Sequence, residues 1–482
     1  MSKTLKQQTA HAIVWSFADK FGQQFLNLIT GIILARFFLS PEDYGLIGLI
    51  AIFNALGYIL IDSGFSNALI RKKEVSQIEL SSVFYFNIVI AIVVYCILFF
   101  CAPFVARFYE QPILTSLIRV ITLSIPLTSL AIMQTTLLTK SLNFRVLAQS
   151  NLFAILCSGA LSIFFAFQGF GVWVLVFQVL MNIVFRNIYL WLRNSWKPTL
   201  KYSRESIQEL WSYSSKLLIA STIKVIFENI YALLIGKIYT IKQAGFYTQA
   251  NKYSGLPYLT MSSAIQSVAY PVMSQVSHDQ ERLKHVFRKV MRISAFTFFP
   301  VLLGMAAIAE PLIHTLLSEK WQAIVPYMQV LCIGYAFLSV SIINLNIFYI
   351  KGVSSKVLLF YLIHFVLIAI SILIALLYDD IMALAIGWSI ASILYSIILS
   401  VYAGQYYMKY SCWEQIKDIF PYLILAAIMA VGAYSLSFFI DNNAILLAAQ
   451  IIIGGAFYLG TSYILGSKII RDTFDFVLKR KI

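Results

Sequence analysis

Long apolar runs recur along this chain and are separated by short polar breaks. Each run holds about 20 residues, the length at which an α-helix crosses a hydrocarbon core roughly 30 Å thick. The pattern predicts an all-α polytopic membrane protein with about fourteen transmembrane helices. The predicted spans fall near residues 11–38, 44–64, 81–105, 113–135, 147–167, 170–192, 213–236, 254–276, 292–316, 324–349, 357–377, 381–405, 418–440 and 443–466.

The pattern of the first span starts again about 200 residues later, which predicts two related halves. The two copies share an opening motif and a closing glycine: Trp15-Ser16-Phe17 with Lys20 and Gly45, then Trp211-Ser212-Tyr213 with Lys216 and Gly245. We therefore expect two pseudo-symmetric six-helix lobes, 1–202 and 203–405, followed by two more helices and a basic tail in 406–482. A short interfacial helix at 203–210 is predicted to link the lobes. This layout is typical of transporters whose cavity lies between two lobes.

Composition excludes a soluble globule, since 60% of the residues are hydrophobic and only 12% are charged. If the amino terminus is cytoplasmic, basic residues favour the cytoplasmic segments by roughly four to one. Both termini are therefore predicted to be cytoplasmic. Basic loops against anionic membrane lipids account for the formal net charge of +15, so nucleic acid is not expected as a partner.

Polar residues inside the spans are the best candidates for function, because each costs a few kcal/mol in hydrocarbon unless it faces protein or water. The cationic candidates for substrate binding are Lys20, Lys224, Arg119 and Arg186. The candidates for a polar cavity wall or for coupling are Asp19, Gln23, Asn27, Asn54, Asp62 and Glu228. These residues also have a competing, purely structural interpretation. The pairs Asp19 with Lys20 and Lys224 with Glu228 would only hold helices together. The side chains of Arg119 and Arg186 would extend to the membrane surface.

Catalytic and metal-binding motifs are missing from the sequence. The five histidines are scattered, the five cysteines form no CxxC pair, and no Walker A motif is present. No cofactor and no metal are predicted, and the chain is not expected to be an enzyme.

Several turn motifs resemble those of the polysaccharide-transport family within the multidrug, oligosaccharidyl-lipid and polysaccharide exporter superfamily. They are the run from Leu34 to Leu46, Asp62-Ser63-Gly64, Gly169-Phe170-Gly171-Val172-Trp173, Ala309-Glu310-Pro311-Leu312 and Ser318-Glu319-Lys320-Trp321. The resemblance implies a flippase of the bacterial inner membrane that serves surface polysaccharide biosynthesis, such as that of O-antigen and lipopolysaccharide. Its expected substrate is an undecaprenyl-diphosphate-linked oligosaccharide, moved to the outer leaflet by alternating access. The family's cationic lumen would then hold the diphosphate.

Two other functions stay open at this stage. A multidrug-cation antiporter of the same superfamily would need net acidic lumen residues, for which Asp19, Asp62 and Glu228 are the candidates. A membrane-embedded glycan polymerase or ligase would need a large outer loop. The sequence leaves open the sugar, the coupling ion (H⁺ or Na⁺), the oligomeric state and a polysaccharide polymerase as a partner.

Overall fold

The structure is a computed structural model that describes residues 5–62, 64–72, 74–378, 380–465 and 469. This part of the chain consists of α-helices joined by short turns, with two 3₁₀ turns and no strand among the residues described. The helices are α1 (Leu5–Phe37), α2 (Pro41–Asp62), α3 (Phe65–Arg71), α4 (Gln77–Phe108), α5 (Ile113–Ile121), α6 (Ser124–Lys140), α7 (Phe144–Phe167), α8 (Trp173–Arg193), α9 (Arg204–Ile238), α10 (Ile241–Gln275), α11 (Gln280–Ala307), α12 (Ala309–Leu316), α13 (Ile324–Ile350), α14 (Ser354–Tyr378), α15 (Ile381–Met408), α16 (Cys412–Ser435) and α17 (Asn443–Ile464).

Within the described residues, 11 helical stretches are long and apolar enough to cross a membrane. Two of them combine neighbouring helices, α2 with α3 and α5 with α6. The predicted all-α multi-pass membrane fold is confirmed. Three long helices are not among these 11 apolar stretches: α1 with 33 residues, and α9 and α10 with 35 residues each. They contain the first, seventh and eighth predicted spans. The total of about fourteen spans therefore stays a prediction.

Helix starts follow local capping chemistry. The Asp43 carboxylate accepts a hydrogen bond from the Ser40 backbone N–H at 2.8 Å, and the Ser40 hydroxyl accepts one from the Asp43 N–H at 3.3 Å. This capping box starts α2 at Pro41, a few residues before the predicted second span near 44–64. The residues predicted to form an interfacial linker at 203–210 are instead the first turns of α9, which Ser203 caps through the backbone N–H of Ser206.

The chain forms two compact units, residues 1–248 and 249–482. In unit 1, α7 packs between α1 and α8, while α6 packs against α4 and α8 and α2 packs against α9. In unit 2, α11 packs against α13 and α16, α15 packs against α13 and α14, and α17 packs against α12 and α16. The division expected from the sequence repeat, into lobes 1–202 and 203–405 and a C-terminal segment 406–482, stays a prediction.

The two glycines that close the repeated motif lie in direct contact within unit 1. A Cβ added to Gly45 would lie 2.0 Å from the carbonyl oxygen of Ile241, and one added to Gly245 would lie 1.9 Å from that of Pro41. The backbones at the starts of α2 and α10 therefore touch, an approach that only small residues permit. We call this contact the glycine crossing.

We expect Gly245→Ala to destabilise the protein, because its Cβ overlaps backbone atoms that cannot rotate aside. Overpacking of this kind costs about 1–3 kcal/mol. The apparent midpoint of thermal unfolding in detergent should fall. Gly432→Ala is the matched control, since a Cβ there meets nothing within 4 Å. Equal midpoints for the two variants would contradict the close approach.

Candidate functional site

Unit 1 contains a cavity of about 200 Å³ that helices α2, α3, α6 and α8 line with polar side chains. We call it the threonine cavity. Two residues predicted from sequence, Asp62 and Arg186, lie on its wall. The other polar lining residues are Ser66, Thr128, Thr135, Thr136 and Thr139. The structure thus brings one predicted cation and one predicted anion to the same polar cavity.

Arg186 is the cationic group of this cavity. Its Nη2 donates a hydrogen bond to the hydroxyl of Thr135 at 3.3 Å. Its Nε is buried and finds no hydrogen-bond partner in the part of the chain that the structure describes. A guanidinium carries five N–H donors in a planar fork. Arg186 therefore lines the cavity with donor capacity that the described residues leave unused.

The threonine hydroxyls of α6 are oriented by their own helix. Thr135 donates to the Ala131 carbonyl at 2.9 Å, and Thr139 donates to the Thr135 carbonyl at 2.8 Å. Since each hydroxyl has one hydrogen, these bonds leave the oxygen lone pairs as acceptors. Thr135 uses this capacity to accept from Arg186. The wall therefore offers hydroxyl acceptors beside the guanidinium donors.

Asp62 takes part in a separate chain of hydrogen bonds on the same wall. The Ser66 hydroxyl and its backbone N–H both donate to Asp62, the latter at 3.3 Å. The Thr136 hydroxyl lies 2.9 Å from that of Ser66. Asp62 thus joins the end of α2 to the start of α3. Its local bonds account for it structurally, and its exposure to the cavity makes it available to a ligand as well.

Asp19 lies in a polar contact between α1 and α7. Its carboxylate accepts from the Gln23 side-chain amide at 2.8 Å and from that of Asn151 at 3.1 Å. Two of the predicted residues, Asp19 and Gln23, are therefore joined by a hydrogen bond. Asn151 was missed by the sequence analysis, although an asparagine inside the predicted fifth span, 147–167, was a usable signal.

Arg119 is not part of this group. Its Nε donates to the Phe99 carbonyl at 3.3 Å, and its guanidinium lies 4.2 Å from the centroid of the Phe99 ring. Arg119 lies on α5 and is not among the residues that line the threonine cavity.

The remaining predicted residues lie elsewhere. Asn54 is buried and accepts a hydrogen bond from Ser124 at 3.3 Å, which ties α2 to α6. Lys20 and Asn27 have exposed side chains on α1. Lys224 and Glu228 are on α9, and their side chains lie outside the described residues. The functional roles of all ten residues stay predictions.

No group of three histidine, cysteine, aspartate or glutamate side chains that could hold a metal ion occurs among the described residues. A multi-pass helical protein with charged side chains lining a cavity is typical of membrane transporters. The chain belongs to the family described as polysaccharide biosynthesis protein, whose sequence profile matches residues 33–326. The family resemblance seen in the turn motifs is thereby confirmed.

Two relatives cover most of the chain. The succinoglycan biosynthesis transport protein ExoT of Rhizobium meliloti is 26% identical over 362 residues, which are 75% of this chain and 73% of that protein. An uncharacterized membrane protein in the cps region of Klebsiella pneumoniae is 24% identical over 481 residues, which are 97% of each chain.

A solved structure of the lipid II flippase MurJ in an inward closed conformation shares the fold. It superposes with a TM-score of 0.75 at 17% sequence identity, over 97% of this chain and 99% of that one. The similarity supports the predicted all-helical architecture over nearly the whole length.

We expect Asn151→Leu to destabilise the protein, because the Asp19 carboxylate would lose one of its amide donors. Hydrogen bonds to charged groups contribute about 1.5–3 kcal/mol. The measurement is the apparent thermal midpoint in detergent, with Asn27→Leu as the control, since Asn27 is exposed on the same helix as Asp19. An Asn151→Leu midpoint as high as that of the control would show that Asn151 does not hold Asp19.

Proposed function

We propose that this protein is a flippase that moves undecaprenyl-diphosphate-linked oligosaccharide repeat units from the cytoplasmic to the outer leaflet of a bacterial inner membrane. Membership of the polysaccharide biosynthesis family supports the pathway. The related protein ExoT, described as a transport protein, supports movement rather than synthesis. The structural observation that carries the proposal is Arg186, half-buried in the threonine cavity with unused donors.

The chemistry of the threonine cavity suits such a substrate. A diphosphate presents several anionic acceptors, and a guanidinium binds phosphate oxygens in a bidentate fashion. Hydroxyls can both donate to and accept from sugar hydroxyls. In contrast, a cationic drug would have only the Asp62 carboxylate, which already accepts two hydrogen bonds from Ser66, to offset the positive charge of Arg186. This arrangement disfavours the antiporter alternative. We therefore assign the first phosphate contact to Arg186.

The other predicted cations have different places in this scheme. Lys20 and Lys224 are proposed as further phosphate or glycan contacts. Arg119 is held against Phe99, away from the threonine cavity. It would contact the substrate only before or after the substrate occupies that cavity. Asn27, Asn54 and Glu228 are proposed as parts of the polar cavity wall.

Asp19 is the proposed coupling residue for alternating access. Its carboxylate joins α1 to α7 through the side chain of Asn151. Binding of H⁺ or Na⁺ at Asp19 would change this contact between the two helices, which would link an ion gradient to their movement. Asp62 and Gln23 are proposed to support this exchange.

We further propose that both termini are cytoplasmic and that the protein makes and breaks no covalent bond. A polysaccharide polymerase on the outer face would consume the flipped repeat unit and is the proposed partner.

The direct test is leaflet-resolved mass spectrometry of undecaprenyl-linked intermediates in a strain that lacks this protein and any redundant flippase. We expect complete repeat units to accumulate on the cytoplasmic face, and their mass would identify the sugars. Complete units reaching the outer leaflet without polymerisation would favour a polymerase or ligase. Normal surface glycan together with increased drug sensitivity would favour the antiporter.

Arg186→Gln should reduce flipping in the same assay. The loss of a charge-assisted contact worth about 1.5–3 kcal/mol corresponds to a decrease of about ten- to a hundredfold in substrate affinity. Arg186→Lys should restore part of it, since the charge remains. Arg193→Gln is the matched control, because Arg193 is exposed on the same helix beside Tyr189. Normal flipping by Arg186→Gln at an unchanged protein level would remove Arg186 from the proposed site.

A further inference from the structure

A single histidine, His364, lies in the middle of the apolar helix α14 of unit 2. The stretch Ser355–Tyr378 is one of the 11 that are long and apolar enough to cross a membrane. His364 follows the start of α14 at Ser354 by ten residues. At about 1.5 Å per residue this distance is about 15 Å, half the thickness of a hydrocarbon core of roughly 30 Å. An ionisable side chain at this depth is rare and usually functional.

The side chain of His364 lies on the face of α14 that packs against other helices. Phe360 and Ile368, one turn before it and one turn after it, are buried. Leu362 and Val366, on the opposite face, are exposed. His364 itself is half-buried. Helix α14 packs mainly against α15 and also against α13, so these two helices form the surroundings of the imidazole ring.

The imidazole ring of His364 is stacked on the ring of Tyr395 in α15. The two ring centroids are 4.3 Å apart, and the angle between the ring planes is 15°. Tyr395 is only 2% exposed. The Nε2 atom of His364 and the hydroxyl of Tyr395 are both buried, and neither has a hydrogen-bond partner among the described residues. The stacked pair therefore has two unused polar atoms, one of them on a ring that can become charged near neutral pH.

The helices around this pair contribute few charged groups. Helices α13 and α15, all of whose residues are described, contain no aspartate, glutamate, lysine, arginine or histidine. The other charged residue of α14 is Lys356, two turns before His364, whose ammonium lies 5.4 Å from the centroid of the Tyr402 ring. The remaining titratable side chains of the three helices are Tyr327, Cys332, Tyr335, Tyr349, Tyr361, Tyr378, Tyr402, Tyr406 and Tyr407. Tyr258 of α10 belongs to the same buried core as Tyr395. A proton on His364 would therefore meet no carboxylate from α13, α14 or α15.

Protonation would change what the ring of His364 needs from its surroundings. A neutral imidazole carries a hydrogen on one nitrogen, whereas an imidazolium carries one on each, so Nε2 is then a donor whichever tautomer was present before. The ring face of Tyr395 attracts a cation at this distance, since such contacts extend to about 6 Å. The Nε2 donor, however, has no acceptor among the described residues. Water must therefore reach the protonated ring, and the packing of α14 on α15 must open to admit it.

We propose that His364 is a proton-binding site and that proton uptake opens the packing of α14 on α15 to water. The proton comes from water, binds the ring nitrogen that carries no hydrogen, and returns to water when the helices close again. Intramembrane histidines form proton pathways in pumps and transporters. The site is separate from Asp19, which lies in unit 1. The proposal does not depend on the flippase assignment, because proton binding needs no substrate.

The test is hydrogen–deuterium exchange of the full-length protein in detergent at pH 7.5 and pH 5.5, corrected for the pH dependence of intrinsic exchange. We expect exchange around His364 and Tyr395 to be about five- to a hundredfold faster at pH 5.5, the factor that corresponds to a buried donor without a partner. His364→Phe keeps an aromatic ring on Tyr395 but cannot bind a proton, so it should abolish the difference. The matched control is His278→Phe, which changes an exposed histidine of the same unit and should preserve it. Equal exchange at the two pH values in the unmodified protein, or an unchanged difference in His364→Phe, would overturn the proposal.

Nitrogen NMR of the histidine side chains measures proton binding directly. In protein labelled with ¹⁵N-histidine, the ring nitrogen shifts distinguish a neutral imidazole from a protonated one, and the signal of His364 is the one missing from His364→Gln. This signal should change from neutral to protonated between pH 7.5 and pH 5.5, and a signal that stays neutral would overturn the site. If neither variant folds, the unmodified protein decides the question. Protonation of all five histidine rings by pH 5.5 supports the proposal, and a ring that stays neutral contradicts it.

Discussion

Hydrocarbon offers no hydrogen bonds, so each polar side chain inside a span must find its partner within the protein. This constraint connects helix packing to the candidate site. Asp19 reaches Asn151 across α1 and α7, and Arg186 reaches Thr135 across α8 and α6. The residues that suggest function are also residues that fix which helices are neighbours. The Nε of Arg186 is one of several exceptions among the described residues, which also include both polar atoms of the Asn87 side chain. A buried donor without a partner costs about 1–3 kcal/mol.

Structural features that depend only on residues close together in the sequence were predictable. The Ser40 and Asp43 capping box spans one helical turn, and the apolar runs define the all-helical membrane fold. The partner of Asp19 was not predictable, because Asn151 lies 132 residues away and meets it only through packing of α7 on α1. Arg119 and Arg186 gave the same signal, a basic residue within an apolar run. Only the structure shows that one stacks on Phe99 and the other lines a cavity.

The glycine crossing shows a similar limit. Gly45 and Gly245 were identifiable as the closing residues of two copies of one motif. Their contact could not be inferred from the repeat, since equivalent positions in two copies need not touch. A Cβ on Gly45 would lie 2.0 Å from a carbonyl oxygen and one on Gly245 would lie 1.9 Å from another, both far inside van der Waals contact, so both positions exclude a side chain for the same steric reason. The repeat thus preserves a steric requirement as well as a helical pattern.

The threonine cavity sets one guanidinium and one carboxylate among hydroxyl groups. Such a lining suits a ligand that is polar beyond its phosphate, such as a glycan diphosphate.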